Sequence, residues 1–351
     1  MRRAIRLLSL LAAAWLLAAC GPSEPWRQES YVFGTRVELA IAGVPEAQAR
    51  AAGNRVLREF DRLHRSYHAW QPSELSALND AIAAGQSHVV TAEFAAYLRE
   101  AQSVAAAGDH LFDPGIGRLV ALWGFHTDDI RPALPDSTAL QALIAAKPSI
   151  ADLKLDGNRV SSRNKDVALD FGGYLKGVAL DRAAASLKAD GIANALVNIG
   201  GNVLALGTRD GAGTPWRVGI QHPRPQSAGG APLATLELRD GEAIGTSGDY
   251  HRYFEVAGQR YCHLLDPRTG FPATGTQAVT VLITPGTSAG MKSDALSKPV
   301  FIAGPEWRSM ARKLGVVAVL NVGADGTASA TPAMQARLKV EVPGLKLEVV
   351  P

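Results

Sequence analysis

Past Gly191 the chain becomes a succession of short apolar runs broken by Gly and Asp-Gly turns. The runs are Ala195–Ile199, Val203–Gly207, Trp216–Gln221, Leu233–Arg239, Tyr253–Val256, Tyr261–Leu265 and Ala278–Thr284. Runs this short, joined this tightly, leave no room for the crossover helices that parallel neighbours need, so they predict an antiparallel meander. Helical patterns are concentrated before them. Pro45 to His64 carries Val56, Leu57, Phe60 and Leu63 on one face. Thr91 is placed to cap a helix bearing Phe94, Leu98, Ala101 and Val104, ended by Gly108. Asp136 or Ser137 caps a shorter helix stopped by Pro148, and Tyr174 to Asp190 is helical with Gly191 at its end. Tyr31 to Ala42 alternates and reads as one strand. A further helix at about Ser288–Ala303 precedes a strand at Val316–Val322 and another near the C-terminus. Segregation of this kind predicts an α+β fold, an antiparallel-rich sheet core with a helical lobe, rather than a doubly wound parallel sheet.

The N-terminus reads as a targeting segment. Arg2, Arg3 and Arg6 precede an apolar run from Leu7 to Leu17, which ends in Leu17-Ala18-Ala19-Cys20-Gly21. The run is short for a membrane span. A Cys directly after small residues resembles a bacterial lipobox. The expected organisation is a lipoprotein signal peptide over 1–19, lipidation at Cys20, a lipid-anchored tether over 20–30 and a single domain over 31–351. Removing the signal takes three arginines from a net charge of +3 and leaves the mature chain neutral. No basic patch interleaved with aromatics appears, so nucleic acid is not an expected partner. Once Cys20 carries lipid, Cys262 has no partner for an internal disulfide. The fold must then rest on its core, and 47% hydrophobic residues suffice for one.

Several turns could carry chemistry. His110-Leu111-Phe112-Asp113-Pro114-Gly115 leads to Leu122-Trp123-Gly124-Phe125, a turn that suits a flat heterocycle and equally a plain helix–helix connection. Asp170-Phe171-Gly172-Gly173-Tyr174-Leu175-Lys176-Gly177 opens a helix with paired glycines, an arrangement that exposes backbone N–H groups to an anion. It is not a Walker loop, because neither Ser nor Thr follows Lys176. Asn198-Ile199-Gly200-Gly201-Asn202 and Thr246-Ser247-Gly248-Asp249-Tyr250 are further glycine turns, and without G-x-S-x-G they give no support to a serine hydrolase.

His263, Asp266 and Arg268 lie within six positions at the end of an apolar strand that breaks into a Pro/Gly turn. A lone strand His is often structural, and the neighbouring charges point toward function. Cys262 and His263 are adjacent on a strand and so face opposite sides, which makes Cys262 a small buried hydrophobe. Asp294 and Lys298, four apart on a helix, share a face.

Taken in order, these motifs resemble the ApbE-type flavin transferases, the FAD:protein FMN transferases. The likeness runs through Phe33-Gly34-Thr35, Ser73-Glu74-Leu75-Ser76, Phe112-Asp113-Pro114, Asp170 to Gly177, Asn198 to Gly201, Ser247 to Tyr250, His263 to Gly270 and Ser293-Asp294-Ala295-Leu296-Ser297. The resemblance implies binding of FAD and transfer of its FMN half to a Thr hydroxyl of an acceptor protein, with release of AMP. It implies Phe33, Leu111, Phe112, Asp113, Asp170, Lys176 and Leu264 around FAD, and His263 as the general base. It implies an acceptor among the flavinylated electron-transport subunits of the cell envelope, and a location on the periplasmic side of a bacterial membrane. It also implies Mg2+ bound through Gly173, Asp294 and the residue four beyond Asp294. That residue is Lys298, where the family usually has Thr. A charged ammonium has donors only and cannot ligate a metal. Other readings of the same residues are FAD binding without transfer, and FAD hydrolysis to FMN and AMP.

Overall fold

The structure, a computed structural model, describes residues 24–225 and 230–350. The signal segment and Cys20 lie outside them.

One nine-stranded sheet organises the domain, and its strand order follows the chain: β1 (Trp26–Val32), β2 (Thr35–Ala42), β3 (Asn194–Ile199), β4 (Asn202–Leu206), β5 (Ala243–Gly248), β6 (Thr276–Ile283), β7 (Ala318–Gly323), β8 (Ala328–Ala330) and β9 (Leu347–Val349). Neighbours pair antiparallel until β9, which runs parallel to β8. Helices α1 (Glu46–Ser66), α2 (Glu74–Ala83), α3 (Ala92–Ala107), α4 (Gly117–Leu122), α5 (Ser137–Ala146) and α6 (Leu175–Ala189) precede β3, and α7 (Ala289–Ile302) follows β6. The α+β expectation holds.

Strand alternation divides the core in two. Leu39 and Ile41 of β2 face Val56, Phe60 and Leu98 on the helical side. Ala40 and Ala42 face the other way, toward Trp216, Leu236 and Leu238. Those residues belong to a separate three-stranded sheet of Trp216–Ile220, Ala234–Leu238 and Leu338–Val340, which the sequence reading had merged into the meander.

Two expectations at the N-terminal edge are corrected. Tyr31 to Ala42 is not one strand but the end of β1, a turn and the whole of β2, the two strands forming a hairpin. Phe33 and Gly34, with φ of 57° and 68°, form a two-residue turn that registers Val32 against Thr35. The left-handed conformation at an aromatic residue hid this turn from a reading based on propensity. The folded domain also begins before the predicted tether ends. Trp26–Ser30 lie in β1, and the Trp26 ring packs so closely on α1 that a Cβ at Gly53 would meet it at 2.7 Å.

Capping follows the sequence at α3, where Thr91 Oγ1 accepts from Phe94 N at 3.2 Å, and at α5, where Asp136 rather than Ser137 accepts from Ala139 N at 2.8 Å. Helix α2 escaped notice because its capping box is Ser73 with Ser76, lacking the usual Glu or Gln.

The sheet is weakest between β4 and β5. Only Ala243 and Ile244 pair with β4, and beyond them α7 closes on the strand. A Cβ at Gly245 would lie 2.0 Å from the Ser293 carbonyl oxygen, so only glycine fits there.

Candidate active site

A cavity of about 1600 Å3 opens where the β1–β2 turn, the 111–114 turn, the start of α6 and the middle of α7 converge. It exceeds the roughly 300–1,000 Å3 typical of drug-sized ligand sites and leaves room for a dinucleotide. The structure brings together on its wall the residues that the resemblance implied for FAD, the base and the metal within the described chain: Phe33, Leu111, Phe112, Asp113, Asp170, Gly173, Lys176, His263, Leu264, Asp294 and Lys298.

The floor is built by two helices in backbone contact. A Cβ at Gly177 of α6 would lie 2.5 Å from the Gly290 carbonyl oxygen, and one at Gly290 of α7 would lie 2.7 Å from that of Gly177. Helix α7 lacks a capping side chain of its own, and Asp181 of α6 supplies one, accepting from Gly290 N and Met291 N at 2.8 Å each. Burial pushes the Asp181 carboxyl up to about 6. The favour is returned one turn on. Asp294 of α7 accepts from Gly177 N, an orphan donor in the first turn of α6, at 3.0 Å.

Asp294 is fully buried, and its oxygens are engaged by the protein. Oδ1 accepts from Lys298 Nζ at 2.6 Å and from Asn202 Nδ2 at 3.1 Å. Lys298 Nζ also donates to the Asp294 carbonyl oxygen at 2.8 Å. The lysine stem lies across Gly173, where a Cβ would meet Lys298 Cε at 2.7 Å and Phe112 Cε2 at 3.1 Å. Burial pulls the Lys298 ammonium below the ordinary lysine range while Asp294 acts in the opposite direction. Ser297, one residue before, cannot supply a hydroxyl to the cavity, because its Oγ bonds Ser247 Oγ and the Asp294 carbonyl oxygen at 2.8 Å each.

This donor set does not fit Mg2+. Only one carboxylate is present where the three expected ligand positions meet, an ammonium already occupies its oxygen, and no cluster of three His, Cys, Asp or Glu residues suited to a metal occurs among the described residues.

His263 falls in the break between the strand Gln259–Cys262 and the two-residue strand Leu265–Asp266. Its Nδ1 lies 3.3 Å from the Arg252 carbonyl oxygen, which assigns the proton to Nδ1 and leaves Nε2 with no partner among the described residues. The ring is edge-on to Phe125, in an aromatic wall completed by Phe254, Tyr261 and Trp123. Trp123 Nε1 donates to the Gly270 carbonyl oxygen at 2.7 Å, so the Trp123-Gly124-Phe125 segment holds the His263 turn. Burial, then Lys176, Arg252 and Lys298, lower the His263 pKa to about 3. Cys262 faces the other way and is buried, with its thiol pushed up to about 12.

Three nominated groups act differently from the sequence reading. Asp266 and Arg268 do not join His263 at the cavity. Their side chains pair with each other at 2.7 Å, and Asp266 also accepts from Arg268 N, which shapes the turn. Asp113 lines the cavity, but its carboxylate is consumed by the protein. It accepts from Gly115 N and Ile150 N at 2.8 Å each, from Ser149 Oγ at 2.5 Å, and contacts His110 Nδ1 at 3.0 Å. It therefore anchors the turn that presents Leu111 and Phe112. Asp170 accepts from Gly172 N at 2.7 Å, and burial raises its carboxyl above the usual range. Lys176 lines the cavity and has no ion pair among the described residues.

Sequence reasoning missed Arg252 and the role of Asn202. Arg252 orients His263 through a backbone carbonyl, which leaves no side-chain signature. Asn202 was visible only as the end of a glycine turn.

The ApbE family pattern matches residues 33–320. An FAD:protein FMN transferase of Rhodobacter capsulatus is 42% identical over 96% of this chain, which spans 64% of that protein's length. One of Klebsiella pneumoniae is 30% identical, over 85% of this chain and 86% of its own. The crystal structure of the ApbE protein of Thermotoga maritima superposes with a TM-score of 0.79 at 29% identity, covering 90% of this chain and 99% of its own.

Proposed function

The chain belongs to the ApbE family, and from that premise we infer that it is an FAD:protein FMN transferase acting on a Thr hydroxyl of an acceptor protein. The observation that carries this reading is the meeting of a neutral imidazole with two lysines at one dinucleotide-sized cavity. The Thr hydroxyl attacks the phosphorus on the FMN side of the FAD pyrophosphate. The P–O bond to the AMP phosphate breaks, AMP leaves with the electron pair, and the Thr proton passes to His263 Nε2. The product is a phosphoester, and nothing is oxidised or reduced.

Charge governs both halves of this step. Lys176 and Lys298 face the developing negative charge on the phosphoryl oxygens, where fixed cations act most strongly. They are also among the causes of the low His263 pKa. A bound pyrophosphate neutralises them, so FAD binding raises the basicity of the imidazole toward the range useful for a general base. Phe33, set on α1 against Phe60 and His64 at ring-centroid distances of 5.9 and 5.6 Å, and Phe112 offer apolar faces to the flavin or adenine. The Mg2+ expected from the resemblance has no step here, because the residues at its place do not fit it.

The reading extends to the cell envelope. The arginines, apolar run and Cys20 support a lipoprotein held by its acyl chains on the periplasmic side of a bacterial membrane, where a flavinylated electron-transport subunit would be the acceptor. Among the described residues no helix is long and apolar enough to cross a membrane.

The test is incubation of the mature protein with FAD and a Thr-bearing acceptor domain. A fluorescent flavin band that survives denaturation, with AMP released in equal amount, is expected. FAD bound without product, or FMN and AMP formed without acceptor labelling, would favour the binding or hydrolytic readings instead.

A further inference from the structure

The mismatch between Lys298 and a metal site is built into the structure rather than tolerated by it. The ammonium is fixed by two oxygens of one residue, Asp294 Oδ1 at 2.6 Å and its carbonyl oxygen at 2.8 Å. The side chain is only 12% exposed, and the part still open lines the cavity. Its stem fits against Gly173, where no side chain could stand without meeting Cε and Cδ. The carboxylate beneath it is spoken for on every side, by Asn202, Gly177 N and Lys298 itself. Two of the ammonium's three donors are used in this grip, and the third remains for a ligand in the cavity.

We propose that Lys298 is the resident cation of the transfer centre, holding the phosphoryl oxygens of FAD in place of a divalent ion, so that this chain transfers FMN without one. The proposal rests on the transferase reading. Lysine recognises phosphate as a point charge, and a point charge pinned on Asp294 needs no assembly step and no ion from the medium. A divalent ion brings two charges to the same place. Lys176, also at the cavity and unpaired among the described residues, supplies the second. The covalent chemistry is unchanged: P–O bond formation to Thr, P–O cleavage to AMP, and the proton to His263.

The experiment compares wild type, Lys298→Thr and Lys298→Met in EDTA and in Mg2+, by transfer rate and by FAD affinity from flavin fluorescence. Wild-type transfer and affinity should agree within about twofold between the two media. Lys298→Met should bind FAD at least about tenfold more weakly in both, the loss of one charge-assisted hydrogen bond. Lys298→Thr restores a hydroxyl beside a freed carboxylate, and should be impaired in EDTA and rescued by Mg2+. Because Lys298→Met strands a buried carboxylate, Lys298→Met/Asp294→Asn serves as the folded control and should show the same weakened, ion-independent binding. A tenfold or greater gain in wild-type rate or affinity on adding Mg2+ overturns the proposal while leaving the transferase reading intact. Absence of transfer from every variant in both media rejects the transferase reading, and the affinity measurements still decide for or against Lys298.

Discussion

The imidazole of His263 is oriented by the Arg252 carbonyl oxygen, 3.3 Å from its Nδ1, and not by a carboxylate. An acidic partner would stabilise the imidazolium and hold the proton after transfer. A neutral carbonyl fixes the tautomer with only a small effect of that kind, which burial and the surrounding lysines and arginine outweigh. Under the proposed transferase reading, this keeps the His263 imidazole unprotonated, as a general base requires, until an incoming anion offsets the nearby cations.

Replacing His263 with Gln should reduce transfer by about 10²- to 10⁴-fold, the usual weight of a positioned base, with FAD affinity nearly unchanged. Single-turnover labelling of the acceptor alongside fluorescence titration separates the two. Equal losses in both would show that His263 serves binding rather than proton transfer.

Acid should destabilise the protein through the same residue. An unfolded His takes a proton below its ordinary value near 6.5, whereas native His263 resists until about 3. The unfolded state therefore binds more protons across that window, and stability is lost as pH falls from 6.5 toward 3. His64 and His251, also shifted down mainly by burial, add in the same direction. Denaturant midpoints at pH 7 and 4.5 should drop less for His263→Gln than for wild type.

Gly173→Ala tests the packing of the lysine stem. The new methyl would stand 2.7 Å from Lys298 Cε and 2.9 Å from Cδ, so the ammonium must leave its place on Asp294. Overpacking of this kind costs typically 1–3 kcal/mol, and FAD binding should weaken as well. A variant with wild-type melting temperature and wild-type affinity would show that the stem yields freely.

Asp113→Ala should lower stability by about 3 kcal/mol or more, because it strands the buried Gly115 and Ile150 amides together with Ser149. Thermal melts measure the loss. If Asp113 instead contacts FAD directly, the variant will keep its melting temperature and lose affinity alone.

Cys20→Ser should abolish labelling by radioactive palmitate in cells and release the protein from the membrane fraction. Retention of both would refute lipidation at this position.

The sequence by itself determined the segregation of helices from strands, the antiparallel character of the sheet, the opposite facing of Cys262 and His263, and the turns that crowd one cavity. These follow from periodicity, from Gly and Pro placement, and from motif order, all of which act over a few residues. Only the tertiary structure decided which polar groups remain free. Asp113 looks like Asp170 in the sequence, yet its carboxylate is consumed by Ser149 and Ile150, some 36 residues on. Arg268 looks as available as Lys176, yet it folds back onto Asp266. Lys298 and Gly173 are far apart in the chain and meet only because α6 and α7 touch at Gly177 and Gly290. A buried charge takes its properties from neighbours through space, so local pattern can nominate such residues but cannot assign what each one holds.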